Sequence, residues 1–130
     1  MRFLASFATT PVGGFGRCSV NSLKNGLGKQ GLQRVGELSA AKAHYAAEQL
    51  TKVPGVVLRF PSPFFKEFTL HLPKPPTGVV AKLARKRILP GVPLKTYDRA
   101  LADCLLVAVT EQRTREEIDA YAAVLAEVLA

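Results

Sequence analysis

The chain has 130 residues, 48% of them hydrophobic and 22% charged, which is the length and balance of one ordinary globular domain. Its net charge of +8 suggests a nucleic-acid binder, but the first 36 residues hold five bases (Arg2, Arg17, Lys24, Lys29, Arg34) and no acid, while from Glu37 onward thirteen bases face ten acids. The globular part is nearly balanced and has no aromatic residues interleaved with its cations, which argues against nucleic acid as a partner; no apolar run reaches the roughly 18 residues of a membrane span.

Residues 1–26 differ from the rest. They contain Pro11, Gly13, Gly14 and Gly16 and no acid. This composition overlaps with an organelle transit peptide, but the arginines are few and the apolar core LASFA is short for a signal. The preferred reading is an irregular, poorly ordered lead-in, with one domain over residues 27–130. The glycine cluster at Gly13, Gly14 and Gly16 follows no predicted strand, so it does not match a phosphate-cradling loop.

From Lys29 to Lys52, Leu32, Val35, Leu38, Ala43, Ala46 and Leu50 recur at helical spacing, predicting a long helix. Gly36 weakens it by about 1 kcal/mol against alanine. Val53-Pro54-Gly55 ends it, because the residue before proline avoids the α region and glycine accepts a left-handed cap. A β-branched, apolar run over Val56–Phe60 predicts a strand, broken by Pro61-Ser62-Pro63. Phe65–Leu72 then alternates, with Phe68, Leu70 and Leu72 on one face and Glu67, Thr69 and His71 on the other. The two strands are expected to pair antiparallel. Phe64 and Phe65 are read as core.

After the linker Pro73–Pro76, a second helix is expected over Thr77–Arg87, with Val80, Leu83 and Ala84 inward. Its cations Lys82, Arg85, Lys86 and Arg87 suit a solvated face and a helix C-terminus, where positive charge opposes the dipole. Ile88–Leu94 is a short strand or turn around Gly91, and Pro93 confines it to a sheet edge. Leu105–Val109 is the most hydrophobic strand and should be central. Thr114-x-x-Glu117 is a capping box opening a last helix that buries Ile118, Tyr121, Leu125 and Val128. The order α-β-β-α-β-β-α predicts an α+β fold, a small antiparallel or mixed sheet with helices on one face.

No nucleophile constellation or dinucleotide fingerprint is present. His44 and His71 have no partner at metal-ligand spacing. Cys18 and Cys104 form no CxxC unit, and Cys104 within CLLVAV behaves as a small hydrophobe, which suits a reducing, cytoplasmic setting. No catalytic, cofactor-binding or metal-binding residue is assigned. Candidate interface residues are Lys66 and Glu67, an adjacent pair of opposite charge; Gly91 and Pro93; and Arg113, whose guanidinium suits a carboxylate. Tyr97 and Asp98 fall in a loop, exposed to solvent by default.

Three stretches, AKAHYAAEQLTKVPGV (41–56), PFFKEFTLHLP (63–73) and VTEQRTREEID (109–119), resemble the C-terminal part of decarboxylating glycine dehydrogenase subunit 1, the P-protein of the glycine cleavage system. The resemblance runs from Leu27 to Ala130 and implies the small α+β domain of a pyridoxal-phosphate enzyme of the aspartate-aminotransferase type. Pro90 stands where the family tends to pair glycines. The resemblance further implies subunit 2 as a partner, or self-association, with a lipoyl-carrying H-protein met only by the complete enzyme. In that family the Schiff-base lysine lies on subunit 2, so pyridoxal phosphate is expected only in the full assembly and this chain alone is expected to be inactive. A free-standing interaction module derived from the same domain is the alternative. Either way, apolar surface left over on the first helix stripe is expected to drive association.

Overall fold

The computed structural model of the chain describes Phe3–Leu4 and residues 20–130, with side chains from residue 26 onward. Helix α1 spans Val20–Thr51, but Gly28 interrupts it at φ 66° and ψ 178°, a conformation glycine adopts without a Cβ penalty. The regular helix that reaches the core therefore begins at Lys29, where the hydrophobic spacing puts it. Within the stretch read as an irregular lead-in, Phe3–Leu4 forms strand β1 and residues 20–26 are helical; residues 1–2 and 5–19, with Cys18 and the glycine cluster, lie outside the described residues.

Strands β2 (Val57–Leu58), β3 (Glu67–His71), β5 (Val92–Pro93) and β6 (Cys104–Ala108) form one sheet in the order β2-β3-β6-β5, antiparallel throughout. Strand β4 (Ile88–Leu89) pairs separately, parallel to β1. Helix α2 (Pro76–Arg85) lies between β3 and β4, and α3 (Arg115–Leu129) closes the chain. The expected order of elements is present except that β1 is added and the single element read over Ile88–Leu94 is divided into β4 and β5. β6 is an inner strand, as its hydrophobicity requires, and Pro93 lies in the edge strand β5, opposite Leu105.

The register explains the core. Phe68 faces Val107 and Leu70 faces Leu105, so period-2 alternation places all four on one side of the sheet. There they join Ala43, Ala46, Ala47 and Leu50 of α1, Val79 and Leu83 of α2, and Ile118, Tyr121, Leu125 and Val128 of α3 in one cluster. The α3 stripe is the one its sequence spells out, and Thr114 caps the helix with both reciprocal hydrogen bonds of the box in place.

Three details differ from the sequence reading. In α2 the buried set is Pro76, Val79 and Leu83, with Val80 half-buried and Ala84 exposed. Starting at Pro76 turns the apolar stripe toward the i, i+3, i+7 set, and Pro76 at the first turn gives up no needed N–H. Thr69 is buried although it belongs to the face read as polar; its register partner is Leu106, so this face is only partly open to water. Ile88–Leu94 is not one strand. Pro90-Gly91 divides it, and Gly91 at φ 148° comes so close to β6 that a Cβ there would stand 2.1 Å from the Leu106 carbonyl oxygen. Only glycine permits that approach.

Candidate interaction surface

The junction between β6 and α3 is tied to α1 by polar contacts. Ser39, nearly buried, donates through Oγ to Glu111 Oε2 at 3.2 Å and accepts from the Glu111 N–H at 3.2 Å. Lys42 Nζ donates to the Glu111 carbonyl oxygen. Gln112 Nε2 donates to the other carboxylate oxygen at 2.9 Å. The Gln112 bond, opposed by desolvation and aided by Ser39 and Lys42, holds the Glu111 carboxyl below its usual range. One turn further along α1, Tyr45 donates to Asp119 Oδ1 at 2.8 Å, and Arg115 lies 4.5 Å from the centre of the Tyr45 ring. The Asp119 hydrogen bond is the main reason the Tyr45 hydroxyl titrates above its usual range. This network fixes α1 against α3. It does so with ground-state contacts and brings no nucleophile beside a base.

The candidate interface residues fall into two groups on either side of β6. Lys66 and Glu67 lead into β3, and the Lys66 carbonyl accepts from the Val109 N–H at 2.9 Å. Among the described residues no ion pair joins Lys66 to Glu67, because neighbours at a strand's start point to opposite faces. Gly91 and Pro93 lie on the β5 side, where Gly91 is committed to its approach to Leu106. Arg113, just before the Thr114 cap, does reach a carboxylate, that of Glu117 in the first turn of α3, at 3.8 Å with both side chains mostly covered. The five do not converge on one surface.

Two cavities among the described residues bear on the candidate chemistry. One, of about 440 Å³, lies over the Val57–His71–Cys104 side of the sheet, lined also by Arg59, Ala100 and Asp103. Cys104 is free and buried there, and burial pushes its thiol up, against a smaller opposing influence of Arg59. A protonated, enclosed thiol is a packing residue. The other, of about 360 Å³, is lined by Lys74, Lys82, Arg85, Lys86, Glu127, Val128 and Ala130. The C-terminal ends of α2 and α3 meet there, and Lys86 Nζ pairs with Glu127 at 2.5 Å. The cations thus offset the negative ends of two helices. Among the described residues no His, Cys, Asp or Glu cluster could hold a metal, and no helix is long and apolar enough to cross a membrane.

The sequence reading expected apolar surface on the first helix stripe; what it missed is the exposure of Phe60 and Phe65. Phe64 is half-buried, stacked on His44 at 4.2 Å between ring centres and packed toward Phe68 at 5.2 Å. Phe65, read as core, is instead 55% exposed, and Phe60 is 50% exposed. The Phe65 ring lies over Gly36 of α1, with 3.9 Å between its Cζ and the place a Cβ would take. On the same half of α1, Leu27 is 47% exposed and Leu32, Val35 and Leu38 are only half-buried. The flanking prolines of RFPSPFF already mark this stretch as a break between strands.

No protein-family model matches the chain. Curated relatives do. The chain is 42% identical over 102 residues to a protein of Chlorobaculum parvum, and 44% identical over 104 residues to one of Chlorobium chlorochromatii, each called "Probable glycine dehydrogenase (decarboxylating) subunit 1". These alignments take in 78% and 80% of this chain. This chain is homologous to decarboxylating glycine dehydrogenase subunit 1, the P-protein. It spans 22% and 23% of the length of those relatives. Among solved structures, an inhibitor-bound glycine decarboxylase (P-protein) of the glycine cleavage system superposes with a TM-score of 0.75 at 36% identity, over 83% of this chain and 24% of that one. A cystine C–S lyase in complex with cysteine persulfide shares the fold alone, with a TM-score of 0.65 at 20% identity over 82% of this chain and 26% of its own. The P-protein homology accounts for the small helix-covered sheet.

Proposed function

We propose that this chain is the small C-terminal domain of a P-protein of the glycine cleavage system, with the aspartate-aminotransferase type of architecture, and that it serves assembly with subunit 2 and not the chemistry. The carrying observation is homology to one segment, 22% of a relative's length, combined with the placement of the lysines. Schiff-base chemistry needs an amine held in a desolvated pocket. Every described lysine, from Lys29 to Lys95, is exposed or half-buried. The cations of the α2–α3 cavity face two helix C-termini instead of a phosphate-binding N-terminus. The described residues therefore do not fit pyridoxal phosphate, and no reaction step is assigned to them. Decarboxylation of glycine and encounter with a lipoyl-carrying H-protein would belong to the complete enzyme, in the cytoplasm.

The test is to mix the purified chain with pyridoxal phosphate, reduce with borohydride and map labelled lysines by mass spectrometry. Scattered, substoichiometric labelling is expected, with no carbon dioxide released from glycine. A single lysine labelled to one equivalent would overturn the reading.

A further inference from the structure

We propose that the cavity where the C-terminal ends of α2 and α3 meet is a binding site for linked phosphate groups, as in a di- or triphosphate. Lys74, Lys82 and Arg85 hold the anion, and Lys86, paired with Glu127, borders it.

The positive charge there exceeds what the fold uses. Helix C-termini carry about half a negative charge each, so the two ends that meet at the cavity call for roughly one cation between them. Four line it: Lys74, Lys82, Arg85 and Lys86. Against them stand Glu127, already engaged by Lys86 at 2.5 Å, and the terminal carboxylate of Ala130. Among the described residues no other acid lines the cavity, and no ion pair reaches Lys74, Lys82 or Arg85. Arg87, exposed and next in the chain, adds to the excess.

The sequence keeps this excess against local preference. Lys82 lies three residues before Arg85 and four before Lys86, so the three cations share one side of α2, an arrangement that weakens a helix. Arg87 takes φ 62°, where a helix commonly ends on glycine. Lys74 is only half-exposed and sits within Pro73-Lys74-Pro75-Pro76, where the proline after it confines it to extended backbone. A stiff segment therefore carries its ammonium to the cavity.

These features select the ligand. The cavity holds about 360 Å³, within the range of small-ligand clefts. Among the described residues neither an aromatic nor an exposed large hydrophobic side chain lines it. It thus lacks the anchors that centre a protein interface and a ring on which a base would stack. No helix N-terminus offers backbone N–H groups, so a single phosphate gains little there. Linked phosphates reach several cations at once, which offsets their repulsion from the two helix ends.

The test titrates the full chain with inorganic triphosphate, orthophosphate and ATP, free of divalent ions, by calorimetry. Triphosphate should bind at one equivalent, about tenfold or more tighter than orthophosphate, and should weaken at least about threefold between roughly 50 and 200 mM salt. ATP should bind like triphosphate, because its base has nothing to stack on. Lys82→Gln with Arg85→Gln, both at exposed positions, should lower the affinity about tenfold or more, and Lys74→Gln, outside the helix, severalfold. Lys95→Gln with Arg99→Gln removes the same charge elsewhere and should leave binding in place. No saturable binding, or equal losses from both pairs, would overturn the site, as would orthophosphate binding as tightly as triphosphate. ATP markedly tighter than triphosphate, or a polyglutamate peptide tighter than either, would overturn the choice of ligand.

Discussion

The two halves of α1 are the same helix in two environments. From Ala43 to Leu50 its apolar residues are enclosed by β3, β6 and α3; from Leu27 to Leu38 similar residues have little above them. The comparison teaches that a hydrophobic stripe records what a helix is meant to meet, and not whether the same polypeptide supplies it. In the inner half, small alanines let α1 lie close to the sheet; in the outer half, leucine and valine are only partly covered among the described residues.

The largest effect should come from truncating the inner half. Leu50→Ala, at a position with no exposure, should cost about 2–5 kcal/mol, and Leu32→Ala no more than about 0.5 kcal/mol in the isolated chain. Denaturant titration of both variants measures the contrast; equal losses would show that the outer half is buried after all.

Removing the cap of α3 sharpens the comparison from the partner side. Thr114→Ala loses the hydrogen bond to the Glu117 N–H and should cost about 1 kcal/mol, because α3 is the helix against which the inner half packs. An unchanged melting temperature would show that the tertiary contacts alone hold the start of α3.

Gly36→Ala should move the other way. The new Cβ would meet Phe65 at an ordinary 3.9 Å, and alanine is the better helix former, so the isolated chain should gain about 0.5–1 kcal/mol. A lower melting temperature would show that the Phe65 ring leaves no room for the methyl.

The smallest effect is electrostatic. Glu111 has a folded-state pKa lowered from 4.5, so the unfolded chain takes up the proton first as acid is added. Its contribution is complete above the unfolded value and is lost as pH falls through the folded one. Glu111→Gln should therefore lower stability at neutral pH by a few tenths of a kcal/mol, discounted for solvent screening, leave stability well below pH 4.5 nearly unchanged, and so flatten the acid limb between them. An acid limb of unaltered slope would assign the pH dependence to other carboxylates.

Much of the inner half was legible without coordinates. The Thr114–Glu117 box, the α3 stripe, the alternation of Phe68 and Leu70, and the stop at Pro54-Gly55 all depend on residues within one or two turns of each other. Their local geometry follows from the chain alone, and the family could be named from three short stretches for the same reason. The site was less legible. The helix stripe of Leu32, Val35 and Leu38 was singled out, but Phe65 was read as core and only the folded structure shows it to be 55% exposed.

The sequence by itself determined the order of the three helices and of β2, β3 and β6, the centrality of β6, the edge position of Pro93 and the capped start of α3, since each is set by periodicity, propensity or a backbone constraint close at hand. Only the tertiary structure decided the phase of α2, the burial of Thr69, the contact of Gly91 with Leu106 and the Ser39–Glu111 tie across 72 positions. Those depend on which surfaces meet after the chain has folded back on itself, and no short-range pattern encodes that. The bare outer half of α1 belongs to the same class: the stripe is written in the sequence, but only packing shows that nothing in this chain's core covers it.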